Sequence, residues 1–161
     1  MNQLAATVDG LPDICGSEDV VAAAIAGAAD LPMAPGAAPV DFARMRSAFG
    51  IALHMHQPLI PAPGGELRSS AIVSNLQAMM ASASDEQRHN AGVFRWCYER
   101  MGEFVPQLVR EGRQPRVMLD YSGTLLWGLQ QMGLESVLEK LRRVTCDPQY
   151  RGCVEWLGSA W

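Results

Sequence analysis

Apolar positions along the chain fall into continuous runs and periodic stripes, and the two predict different elements. The sharpest run is Phe49, Gly50, Ile51, Ala52, Leu53, His54, Met55 and His56, ended by Gln57 and Pro58. A nearly continuous run predicts a strand buried on both faces of a parallel sheet. Pro58, Pro61, Pro63, Gly64 and Gly65 then predict a long loop. Ile72, Val73, Leu76, Met79 and Met80 form one stripe of a helix over 69–83. Asn90 is a good N-cap for a second helix carrying Val93, Cys97, Met101, Phe104 and Leu108, with a kink at Pro106 and an end at Gly112. Val117 to Tyr121, launched by Pro115, reads as a second buried strand that Ser122 and Gly123 break. Leu125, Leu126, Leu129 and Met132 give one further helical face, ending near Gly133, and Val137, Leu138, Leu141 and Val144 give another. Cys153 to Leu157 makes a third short strand.

Strand, helices, strand, helices, strand is the order of a parallel sheet with helical crossovers, an α/β fold. Parallel sheets collect their functional groups at the C-terminal ends of strands, which here are His54 to Pro58, Asp120 to Gly123, and the residues after Glu155. Three strands alone leave two open edges and an uncovered sheet face. The chain is therefore expected to be the front of a larger domain, and self-association through the open edges is an expected partner mode.

The first forty residues differ in kind. Residues 22–39 are almost entirely Ala, Gly and Pro, the composition of a weak helix running into a Pro-punctuated linker. Ser17, Glu18 and Asp19 can cap a short peripheral helix ending near Ala29. The division expected is an N-terminal extension over 1–40 and a folded body over 41–161.

Composition narrows the function classes. With 161 residues and 48% apolar content the chain can bury a real core. A formal charge of −4 with acidic and basic residues interleaved offers no nucleic-acid or membrane surface. Cys15, Cys97, Cys146 and Cys153 are scattered without a CxxC pair, and no apolar run is long enough to span a membrane. Free thiols in a cytoplasmic protein, with no metal and no cofactor, are the simplest expectation.

His54, Met55, His56, Gln57 and Pro58, within SAFGIALHMHQPLIPAP from Ser47 to Pro63, resemble the first conserved region of glycoside hydrolase family 57. SNLQ from Ser74, FRWCYERMGEFVPQLV from Phe94, RVMLDYSGTLLWGLQQMG from Arg116 and CDPQY from Cys146 extend the resemblance over about residues 10–161. Val154 and Glu155 resemble the Val-Glu pair of the second region, although Gly152 and Cys153 replace the commoner Gly-Gln or Gly-Glu before it. The resemblance implies the opening strands of a (β/α)7 barrel that hydrolyses or transfers α-glucan linkages with retention. Retention needs two carboxyl groups about 5 Å apart, one attacking the anomeric carbon and one protonating the leaving oxygen. The family's Glu nucleophile and Asp acid/base lie in regions without a counterpart here, so no catalytic residue is assigned.

By the same resemblance His56 sits beside the sugar next to the scissile bond, Gln57 orients it or shares a hydroxyl, and Glu155 accepts from sugar hydroxyls or positions a catalytic partner. His54 points to the same strand face as His56 and joins the substrate-binding set. A neutral imidazole brings one donor and one acceptor to such a site.

Each residue also has a plainer reading. His54 and His56 can be hydrogen-bonded packing groups, and Asp120 reads first as a cap of the helix after it. Trp127 belongs to a helical core stripe, whereas Trp156 and Trp161 are as suited to sugar stacking as to structure. His89, Met79 and Met80 look structural. Two functional alternatives stay open: a non-catalytic, oligomeric carbohydrate-binding module, and a deacetylase-like protein holding zinc on the HxH pair.

Overall fold

Local chemistry sets where each element starts. The computed structural model describes residues 7–8, 11–12, 16–28, 41 and 43–158; Cys15, the linker from residue 29 onward and Trp161 lie outside them. The chain divides into two compact units, Met1–Pro39 and Val40–Trp161. In the first, β1 (Thr7–Val8) pairs antiparallel with β2 (Leu11–Pro12), and α1 spans Glu18–Ala28 with Glu18 and Asp19 in its positive first turn.

The second unit is mixed α/β around a three-stranded parallel sheet of order β3 (Ala52–Met55), β6 (Val117–Tyr121), β7 (Val154–Trp156). His54 registers with Asp120 and Met55 with Tyr121; on the other side Met118 registers with Glu155. The crossover from β3 to β6 contains the β4 (Leu59–Pro61) and β5 (Ile72–Ser74) hairpin, α2 (Asn75–Met80) and α3 (Asp85–Arg110). The crossover from β6 to β7 contains α4 (Gly123–Gln131), α5 (Glu135–Cys146) and a 3₁₀ turn, Arg151–Cys153.

Strand β3 departs from the expectation of burial on both faces. Its side chains alternate: Leu53 and Met55 pack into the core, while Ala52, His54 and His56 are exposed. Period-2 geometry imposes this once only one face has a cover. That cover is built from Leu76, Ala91, Tyr98, Leu125, Leu129, Val137 and Leu141, against which Leu119, Tyr121, Val117, Val154 and Trp156 also pack. Tyr121 meets Tyr98 and Trp156 edge-on at 6.5 and 5.6 Å. A satellite core of Val105, Val144, Tyr150 and Cys153 closes one end of the layer.

Three further expectations are corrected. The long loop expected after Pro58 is confined to residues 62–71, between the two strands of a hairpin, and Ile72 and Val73 belong to its second strand rather than to a helix. Both are β-branched, and their backbone groups find partners in Leu59–Pro61 that a helix start would lack. Helix α3 opens at Asp85 instead of Asn90, because the Ser84 side chain accepts from Gln87 N–H at 3.4 Å and Asp85 and Glu86 fill the first turn. It runs through Pro106 unbroken and stops where Gly112 adopts φ +75°.

The buried stripe of α3 is only partly the one expected: Met101 packs against the core. Ala91, Tyr98, Gly102, Val105 and Pro106 face inward, leaving Val93 and Phe104 exposed. Gly102 explains the choice: a β-carbon there would stand 2.6 Å from Lys140 Cβ and 2.9 Å from its carbonyl carbon. Only glycine lets α5 approach this closely.

Candidate functional site

The exposed face of the sheet carries the polar residues that the sequence singled out. Ala52 and His54 from β3, His56 just beyond its end, Met118 and Asp120 from β6, and Glu155 from β7 share it, because registered neighbours in a parallel pair point the same way. His54 is largely exposed, at 66% of its side-chain surface, and its Nδ1 lies 2.6 Å from Asp120 Oδ2. His56 Nδ1 lies 2.9 Å from Ser122 Oγ. The two rings stack with centroids 5.9 Å apart and planes 14° from parallel.

Asp120 is therefore not the cap of the following helix. That role falls to Ser122, whose side chain accepts from Leu125 N–H at 3.3 Å. Ser122 N–H also donates to Met55 O at 3.0 Å, which fixes the end of β6 beside the end of β3. In each imidazole Nδ1 is taken by the protein, so one nitrogen per ring, not two, is left for a ligand.

Gln57 turns the other way. It is buried at 5% exposure, its Nε2 donates to Tyr98 Oη at 2.7 Å, and its Oε1 accepts from Asn75 Nδ2 at 3.0 Å. Tyr98 Oη donates onward to His56 O at 3.3 Å, and Tyr121 Oη donates to Tyr98 O at 2.8 Å. Burial pushes both phenols above the ordinary value of 10.0, against the opposing pull of Gln57 on Tyr98. Gln57 thus holds the His56 backbone in place from beneath; its amide does not reach the open face.

Glu155 shares the face but not the neighbourhood of His56. It registers with Met118, which registers with Ala52. His56 lies four residues further along, about 13 Å at the usual strand rise, and two strands away, about 10 Å more across the sheet. Trp156, as suited to sugar stacking as to structure in the sequence reading, points into the core, where its Nε1 donates to Thr145 Oγ1 at 3.0 Å. Trp127, expected in the core, is half-buried, and His89 is exposed on α3.

Concavities of about 550 and 360 Å³ lie elsewhere, along Glu139, Arg143 and Asp147 of the α5 side and beside His89 and Trp96 of α3. Among the described residues no group of three or more His, Cys, Asp or Glu is placed to hold a metal ion, and no helix is long and apolar enough to cross a membrane. Cys97, Cys146 and Cys153 are free thiols. No family model, no curated protein and no solved structure matches this chain.

Sequence reasoning overlooked Ser122, Thr124, Asn75 and Tyr98, all of which support the HMHQP segment. Thr124 Oγ1 donates to Gln57 O at 2.9 Å, and Asn75 N–H donates to Pro58 O at 2.9 Å. The only signal available was proximity of Ser122 and Thr124 to the end of a strand, which says nothing about which strand lies alongside.

Proposed function

We propose that this chain contributes a carbohydrate-binding face of the glycoside hydrolase family 57 type, formed from the opening strands of a (β/α) barrel and directed at α-glucans. One observation carries the reading: two ordered imidazoles, on a sheet face left open among the described residues, stand at the C-terminal end of β3 and are held by Asp120 and Ser122 from the end of the adjacent parallel strand, where such folds place their ligands. In a closed barrel the helix-free face is the interior, so His54 and His56 would look into the cleft. Ring nitrogens held from behind suit sugar hydroxyls, since recognition of a polar ligand rests on a few fixed groups.

In this reading the residues of this face bind and orient, and none of them is assigned as nucleophile or acid/base. His56 and His54 meet hydroxyls directly; Gln57 supports them from beneath; Glu155 serves a distant part of the same face. Self-association through the outer edges of β3 and β7, which pair with no further strand among the described residues, is a further part of the proposal and fits the three-strand order. Calorimetric titration with maltooligosaccharides tests the sugar assignment. Loss of one hydroxyl contact of about 1–1.5 kcal/mol makes His56→Ala bind about tenfold more weakly, and wild-type protein that binds no maltooligosaccharide at all overturns the assignment.

A further inference from the structure

Hydroxyl protons beneath His56 have one permitted order. Thr124 Oγ1 lies 2.9 Å from Gln57 O, and a carbonyl can only accept, so the threonine proton is used there. In its 3.0 Å contact with Ser122 Oγ, Thr124 must then accept and Ser122 donate. That leaves Ser122 no proton for His56 Nδ1 at 2.9 Å, so the imidazole is the donor. The last lone pair of Ser122 receives Leu125 N–H at 3.3 Å, which fills the one donor and two acceptor positions of the hydroxyl of a residue that is only 2% exposed.

We infer that Thr124 and Ser122 are positioning residues that hold neutral His56 as its Nδ1–H tautomer, so that Nε2 faces a ligand as a hydrogen-bond acceptor. Asp120 imposes the same tautomer on His54, because a carboxylate accepts and the 2.6 Å contact therefore takes the Nδ1 proton. Both rings offer acceptors, and neither offers a donor. A ligand rich in hydroxyl donors is matched by this pair, whereas acceptor-only carboxylates and phosphates are not. The ligand class rests on the sugar reading above; the tautomers do not.

Long-range ¹H–¹⁵N spectra of the ¹⁵N-labelled full chain read tautomers directly, at a pH about two units above the ordinary imidazole value of about 6.5. His54, His56 and His89 are the three histidines, and single His→Gln variants assign them. Wild-type His54 and His56 are expected with protonated Nδ1 and bare Nε2. In Thr124→Val the Ser122 proton loses its acceptor and turns to His56 Nδ1, so His56 switches to the Nε2–H form while His54 keeps its own. Thr124→Ser restores the wild-type pattern, and Asp120→Ala releases the tautomer of His54. Wild-type His56 found with Nε2–H overturns the inference without any variant, as does an unchanged tautomer in a folded Thr124→Val. Maltotriose titrations run on the same samples separate the two proposals: expected tautomers without binding sink only the sugar reading, and binding with the opposite tautomers sinks only this one.

Discussion

Replacing Gln57 by leucine isolates the energetic value of the amide that underlies the HMHQP segment. Leucine nearly matches the side-chain volume, so the perturbation is loss of two hydrogen bonds, one buried and one part-buried, without a large cavity. Asn75 Nδ2 loses its 3.0 Å acceptor and keeps only the Met79 sulfur at 3.4 Å. Tyr98 Oη loses its 2.7 Å donor and keeps its long 3.3 Å bond to His56 O. A buried polar group without its partner costs about 1–3 kcal/mol; because each group retains a weaker contact, the lower half applies and the sum is about 2–4 kcal/mol. Urea unfolding, with a slope of about 1–3 kcal/mol per molar for small proteins, should place the midpoint about 1–2 M lower. Tyr98→Phe removes one partner in advance, so the double variant should lose about 1 kcal/mol less than the sum of the singles. A loss below about 0.5 kcal/mol in Gln57→Leu, or strict additivity, refutes the argument that this amide braces the site.

Gly102→Ala should lower the melting temperature by several degrees, because the new methyl meets Lys140 backbone and the overpacking cost of about 1–3 kcal/mol exceeds the gain of about 1 kcal/mol in helix propensity; an unchanged or higher value by calorimetry contradicts the close approach of α3 and α5. Alkaline titration should reveal the buried phenols. Their folded pKa is raised, so their contribution to stability is intact below the ordinary value of 10.0 and is lost as pH rises beyond it. Tyr121→Phe should flatten that decline in urea midpoints measured across the range. Lys140 pairs with Glu99 and Glu103, and the Glu103 carboxyl is held below its ordinary 4.5, so this contribution is present above that pH and fades as acid passes through the lower folded value. Lys140→Met should remove the acid dependence assigned to Glu103, read by NMR titration of its carboxyl carbon; an unshifted titration curve speaks against the pair.

The sequence alone determined what depends on near neighbours. Strands at 52–55, 117–121 and 154–156 and helices around 125–131 and 135–146 were legible from runs, stripes and the Pro and Gly punctuation between them. The period of two also determined that His54 and His56 share one face. It could not say that this face lies open, since a continuous apolar run looks the same whether one side or both are covered. Tertiary structure decided the rest through register. Parallel pairing of residues 66 apart brought Asp120 to His54 and Ser122 to His56. Packing of α3 drew Gln57 inward to Tyr98, and the β6 to β7 register carried Glu155 away from His56. Register and helix approach depend on contacts between distant segments, set by which burial and which glycine allow the closest packing, and such contacts leave no mark in the spacing of residues along one strand.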